Sequence, residues 1–257
     1  MELKAFFDGI ADVPLWWRLA WADMNQIYRR SLIGIFWISI SFLMFVGVKI
    51  FIFGAISQMD MTYYSLWVVI GYAVWNFINA SVVDACNVFI GSRSWILGTN
   101  MSLGTFVAQS IMRHSISLFF MAIICIIAVL FYSWEQTAVT FSVLAGLVFL
   151  IINSMWVHVV LGALCARHRD VLHLVQAIMH VMFFLTPILY IPKQLGPKAA
   201  VLNYNPFTHY LAIVREPIVN GIIPQLSWTV VICITILGWL AAIYTLKYKT
   251  RNIAFWI

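Results

Sequence analysis

Residues 31–57 read SLIGIFWISISFLMFVGVKIFIFGAIS, and Lys49 is the single charged side chain among them. About 20 consecutive apolar residues suffice for a helix to cross the hydrocarbon core of a bilayer, so this stretch is long enough to span it. Working outward, comparable runs follow from about Tyr63 to Gly91, Gly104 to Tyr132, Ala138 to Ala166, Val171 to Ile191 and Ser227 to Leu246. The 257 residues are 63% apolar and only 9% charged, with a mean hydropathy of +0.96. A soluble domain is near half apolar and a quarter charged, and it spends polar residues covering its surface. The expected fold is therefore an all-α integral membrane protein with six transmembrane helices. Six spans take about 120 to 150 residues, which leaves no room for a separate soluble catalytic domain.

The connections are short. Gln58 to Thr62 separates the first two spans, Ser92 to Ser102 the next two, and Ser133 to Thr137 forms a tight turn into the fourth. Ahead of the first span, Asp12-Val13-Pro14 opens a stretch in which Trp17, Ala20, Trp21, Met24, Ile27 and Tyr28 fall at helical spacing. Proline suits a first helical turn. An amphipathic helix carrying three tryptophans, Trp16, Trp17 and Trp21, belongs in the membrane interface. Pro192 to Leu226 holds five prolines and cannot be one helix. Asn205-Pro206 reads as a helix start and Pro217 as a stop, so short re-entrant helices are expected before the last span. The chain divides into residues 1–30, the cytoplasmic N-terminus and interface helix, and residues 31–257, the six-span domain. The second part contains a re-entrant region at about 192–226 and a tail at 247–257. The opening Met-Glu-Leu-Lys lacks the pattern of a cleaved signal peptide.

The net charge of +6 reads as topology rather than nucleic-acid binding. With both termini on one side, that side collects Lys4, Arg18, Arg29, Arg30, Arg93, Arg167, Arg169, Lys247, Lys249 and Arg251, against Lys193, Lys198 and Arg215 opposite. The positive-inside rule then places both termini in the cytoplasm. Of the two remaining cations, Lys49 either snorkels or faces a polar channel, while Arg113 lies inside the third span. Asp84 is the deep carboxylate of the second span, and a structural Asp84–Arg113 pair would cancel the cost of burying either charge.

Several chemistries have no motif here. There is no GxxxxGK[ST] loop, so any ATP-driven step belongs to another chain. His168, His173 and His180 share part of a face but lack an HExxH or a matching carboxylate set, and no metal site is expected. Cys86, Cys125, Cys165 and Cys233 show no paired spacing and read as packing residues. No hydrolase-type Ser, His and Asp motif is visible, and no catalytic residue is assigned. The 12 Trp, 10 Tyr and 19 Phe exceed what interfacial belts need. Ring faces stack on the apolar faces of sugars, and phenol and indole tips hydrogen-bond hydroxyls. Trp37, Tyr63, Tyr64, Trp67, Trp75, Phe183, Phe184 and Tyr190, with Tyr72 and Phe77, are the candidates to line a sugar path.

Tyr28-Arg29-Arg30-Ser31-Leu32-Ile33-Gly34-Ile35-Phe36-Trp37 resembles the Y-R-x-S-x-L/I-G-x-x-W start of the first span in ABC transporter permeases that export polysaccharides. Arg167-His168-Arg169-Asp170-Val171 is similar to the family's R-x-R-D element, and Thr186-Pro187-Ile188-Leu189-Tyr190 to its T-P-I-x-Y end of the fifth span. Asn205-Pro206 with Arg215-Glu216-Pro217 resembles its N-P…R-x-P pattern. Arg251-Asn252-Ile253-Ala254-Phe255-Trp256 resembles its R-x-I-A-aromatic-W tail, which favours the O-antigen branch. Leu32-Ile33-Gly34 stands where Leu-Leu-Gly is commoner.

The resemblance implies a homodimer in a bacterial inner membrane with two copies of a nucleotide-binding subunit beneath it. ATP and Mg sit on that partner, and this chain carries no cofactor. A channel between protomers, lined by the first and fifth spans, would move a lipid-linked polysaccharide amid membrane lipids. Arg29, Arg30, Ser31, Leu32 and Gly34 would form a gate near the lipid-linked end. Arg29 and Arg30 would either meet a pyrophosphate headgroup, for which arginine geometry is apt, or serve as positive-inside anchors. Arg167, His168, Arg169 and Asp170 would receive the ATPase stroke. The alternatives are a permease of the same architecture for a capsule or teichoic-acid-like polymer, a drug or a lipid, and an intramembrane glycosyl or acyl transferase.

Overall fold

The computed structural model describes residues 2–56, 60–131 and 138–257. Among them every regular element is helical, in the order α1 (Glu2–Ala11), α2 (Val13–Ile27), α3 (Trp37–Ile56), α4 (Met61–Ala85), α5 (Val88–Gly91), α6 (Arg93–Gly98), α7 (Leu103–Phe131), α8 (Ser142–Arg167), α9 (Val171–Leu185), α10 (Pro206–Val219), α11 (Gln225–Tyr248) and α12 (Thr250–Trp256). Short 3-10 turns precede α3, α8 and α10. The expected turn at Ser133 to Thr137, and Gln58-Met59 between the first two spans, lie outside the described residues.

Five helices are long and apolar enough to cross a membrane: α3 with its 3-10 turn, α4, α7, α8 and α11. The fifth apolar run behaves differently. Its helix, α9, ends at Leu185, so its 15 residues rise only about 22 Å. Thr186 to Ile191 continues it as non-helical chain, because Pro187 biases the residue before it away from the helical region.

The second span is also shorter than expected. α4 stops at Ala85, and Cys86-Asn87 separates it from α5. Asp84 therefore lies at the C-terminal end of a helix rather than well inside one. A carboxylate there opposes the helix dipole, and its partners must offset that.

α4 is the centre of the bundle, packed against α3, α7, α8, α9 and α10. In its most apolar stretch 67% of residues are buried, against 11% in α3. Asp60 caps α4 by accepting the Tyr63 N–H at 3.0 Å. α11 lies on α8, and α1 and α2 lie on α7. α1 was not expected from the mixed composition of residues 1–13, yet its Phe6 and Gly9 are buried. Its backbone comes so close to α7 that a Cβ on Gly104 would sit 2.0 Å from the Phe6 carbonyl oxygen.

The region of five prolines resolves into a 3-10 segment, Pro192–Tyr204, interrupted where Gly196 takes a φ of 54°, and then α10. Asn205 caps α10 by accepting the Phe207 N–H at 3.0 Å. α10 runs on to Val219, two residues beyond Pro217. Its first turn meets Trp75 through Phe207, and beyond its end Asn220 accepts from Tyr63 at the start of α4. α10 therefore runs alongside α4 from the middle of that helix back to its N-terminal end.

Candidate functional site

The turn between α2 and α3 is built from residues expected to form a gate. Arg30 has a φ of 68° and Gly34 one of 64°, a left-handed conformation that glycine adopts freely and arginine does not. The Ser31 N–H donates to the Tyr28 carbonyl at 3.1 Å, and the Ser31 hydroxyl accepts the Gly34 N–H at 3.1 Å. These bonds turn the chain from α2 into α3 and leave Arg29, Arg30 and Leu32 exposed. Burial pushes the Tyr28 phenol above its ordinary value. Beside it a cavity of about 430 Å³ is lined by Tyr28, Trp37, Phe42 and Tyr72 and by the polar tips of Ser41, Asn76 and Ser117. Aromatic residues beside hydroxyl and amide groups are a composition suited to a sugar, although the Tyr72 ring itself is stacked on Phe42 and Phe45.

The expected Asp84–Arg113 pair is present and is part of something larger. Arg113 Nη2 stands 2.6 Å from Asp84 Oδ2, and Arg113 Nη1 stands 3.1 Å from Asp23 Oδ2 on the interface helix. Asp84 Oδ2 also meets the Ser110 hydroxyl and His114 Nε2, the latter at 3.2 Å. Ser110 Oγ is in turn 2.8 Å from His158 Nε2 on α8. Asp23 accepts a second bond from Gln109 Nε2 at 2.8 Å. Asp23, Gln109, Ser110, His114 and His158 were missed in the sequence. The signal was there in α7: Gln109, Ser110, Arg113 and His114 recur at helical spacing and make one polar stripe on an apolar span.

This cluster contains a serine, a histidine and an aspartate but not in a nucleophile's order. In a triad the carboxylate orients the histidine and the serine is left to attack. Here Asp84 contacts Ser110 directly, and His158 Nδ1 faces the Ser154 carbonyl at 2.7 Å. The arrangement ties α7 to α4 and α8.

The aromatic residues separate into two groups. Tyr64, Trp67 and Trp75 are 1–4% exposed, so they pack inside the protomer. The Tyr64 hydroxyl donates to the Leu189 carbonyl at 2.8 Å and Trp67 Nε1 to the Tyr190 carbonyl at 3.2 Å. Buried Arg215 donates from Nη1 to the Pro187 carbonyl at 2.6 Å, and Asn205 Nδ2 donates to Thr186 Oγ1 at 2.9 Å. Non-helical chain at membrane depth needs its polar groups paired by protein, and these four side chains supply that for the break after α9. Trp75 packs on Phe183 and Phe207. Trp37 and Phe184, by contrast, are largely exposed, and Tyr63, Phe183 and Tyr190 are half-buried. Lys49 lies between the rings of Phe45 and Phe53 on its own helix.

Arg167, His168, Arg169 and Asp170 form an exposed connection between α8 and α9. The Arg167 guanidinium also lies over the Trp256 ring of the tail, at 5.6 Å. His173 and His180 are exposed on α9, and among the described residues no three His, Cys, Asp or Glu gather into a metal-sized group.

Over 240 residues, 90% of this chain and 91% of the relative, the sequence is 24% identical to "O-antigen export system permease protein RfbA" of Klebsiella pneumoniae. The chain is similar to an O-antigen export permease. A second protein of that name and organism matches at 23% over the same shares. No family model matches. Both relatives are named as permease subunits of an export system, which does not favour the transferase alternative.

Proposed function

We propose that this chain is the transmembrane subunit of an ATP-driven exporter that moves lipid-linked polysaccharide, an O-antigen, across a bacterial inner membrane. The observation that carries the reading is the similarity to named O-antigen export permeases over 90% of the chain. The cavity of rings and small polar groups at Tyr28, Trp37 and Tyr72 supports a sugar as the cargo. Two copies of the chain would enclose the path, with a pair of nucleotide-binding subunits that hold ATP and Mg beneath them and both termini in the cytoplasm. The exposed Arg167 to Asp170 connection would receive their stroke. The turn bearing Arg29, Arg30 and Leu32 would gate admission of the lipid-linked end. The aromatic surface of the path would come from Trp37 and Phe184, with Tyr63, Phe183 and Tyr190 beside them. Tyr64, Trp67 and Trp75 are assigned to the inner packing instead. The chain itself makes and breaks no covalent bond in this scheme.

The test is deletion of the chain from its native cell, followed by fractionation of lipid-linked glycan between cytoplasmic face and cell surface. Accumulation inside with loss outside is expected. An unchanged surface glycan would overturn the reading.

A further inference from the structure

The two N-terminal helices are attached to the membrane domain in different ways. α1 is held by close backbone packing. The Ser102 hydroxyl donates to the Ala5 carbonyl at 2.6 Å, and the contact between Phe6 and Gly104 leaves no room for a Cβ. α2 buries two residues, Ala20 and Met24, as α1 does with Phe6 and Gly9; the difference lies in the polar contacts. Trp17, Trp21 and Ile27 stay exposed. Among the described residues, its side-chain hydrogen bonds to the membrane domain all end on one carboxylate, Asp23, which meets Arg113 and Gln109.

α2 is also bounded by a break at each end. Asp12 is non-helical between α1 and α2, and Arg30 and Gly34 take left-handed conformations beyond its last turn. Beneath it lies a cavity of about 370 Å³ walled on one side by Asp23, Gln26 and Ile27 and on the other by Asp84, Asn87, Trp95 and Arg113. A helix with a joint at each end and a cavity below it can move as one piece.

Arg113 is suited to let it go. A guanidinium presents two edges to two acceptors, and here Asp84, itself held by Ser110 and His114, keeps one edge when Asp23 leaves the other. Release of α2 therefore never strands an uncompensated charge in the bundle, the situation that makes breaking a buried pair costly.

We propose that Asp23 is the positioning residue that docks the interface helix on the membrane domain, and that the Asp23–Arg113 pair is the latch that opens when α2 moves aside. The proposal rests on the reading of α2 and its following turn as a gate. Its test uses the resting protein and needs no exported polymer, so the two can fail separately.

The experiment places a cysteine at Ala20, on the buried face of α2, with exposed Cys233 replaced by serine, in the full chain in membranes. Reaction with a water-soluble maleimide is then timed. Asp23→Asn, which keeps the size and removes the charge, is expected to speed labelling of Ala20→Cys at least tenfold, and Asp23→Glu is expected to restore slow labelling. A cysteine at Thr105, buried where α1 meets α7, is expected to stay protected throughout. Labelling of Ala20→Cys unchanged by Asp23→Asn would overturn the latch. So would equal exposure of Thr105→Cys, since that reports general loosening rather than release of one helix.

Discussion

The guanidinium of Arg215 lies 3.3 Å from the centroid of the Trp67 ring. Arg215 is 1% exposed, its Nη1 is taken by the Pro187 carbonyl, and its Nε has no hydrogen-bond partner among the described residues. An arginine inside a membrane bundle is always charged and is expensive there unless paired. The face of an indole is the strongest neutral partner available, worth about 2 kcal/mol when desolvated. The pair joins α4 to α10 and, through Pro187, to the break after α9.

Removing the two halves of this pair has unequal consequences. Trp67→Leu leaves the buried cation without its ring and is expected to cost about 3 kcal/mol. Arg215→Met removes the charge itself and loses mainly one bond to a carbonyl, about 1 to 2 kcal/mol. Thermal midpoints of the detergent-purified variants measure both. Equal losses, or a larger loss for Arg215→Met, would show that the ring does not hold the cation.

If Asp84 and Arg113 were a simple pair, exchanging the charges would rescue either neutralisation. The structure changes that expectation. Asp84 also meets Ser110 and His114, and Arg113 also meets Asp23. An arginine at position 84 would face donors, and an aspartate at position 113 would face Asp23. Asp84→Asn is expected to lose about 2 to 3 kcal/mol, because it leaves donors and a cation unmatched. The Asp84→Arg, Arg113→Asp double variant is expected to express no better than the single changes in a folded-protein assay. Recovery in the exchange would mean the pair acts alone.

Arg169 and Asp170 are solvent-exposed, so truncating either should change stability by no more than about 0.5 kcal/mol. If the connection receives the ATPase stroke, Arg169→Ala and Asp170→Ala are nevertheless expected to abolish export. Surface glycan and thermal midpoint, measured on the same preparations, separate the two effects. Normal export in both variants would remove the coupling assignment.

Two glycines separate backbone strain from crowding. At Gly34 an added Cβ would meet nothing within 4 Å, but the φ is +64°. Gly34→Ala should therefore cost about 1 kcal/mol through conformation alone. At Gly104 the same methyl would collide with the Phe6 carbonyl oxygen, so Gly104→Ala is expected to lose more and to expose Thr105→Cys to labelling as α1 lifts off. If Gly34→Ala proved the more damaging, the gate turn would need contacts beyond its own backbone.

What the sequence determined by itself rests on signals that are local and additive. Runs such as residues 31–57 mark spans because hydrophobic length is summed along the chain, and the thirteen cations outside the spans predict an orientation because each votes independently. Asn205-Pro206 announced the start of α10 through capping chemistry within three residues. Pairing between distant residues was beyond that reach. Sequence placed Tyr64 and Trp67 among path-lining aromatics, since aromatic composition is the same whether a ring faces a path or a carbonyl. Only packing turned both inward onto the break after α9, where unpaired backbone in the membrane required donors. In the same way Asp23 looked like one polar residue on an interface helix. Its meeting with Arg113, ninety residues away, depends on how α2 settles against α7, which is decided by the shape of the whole bundle.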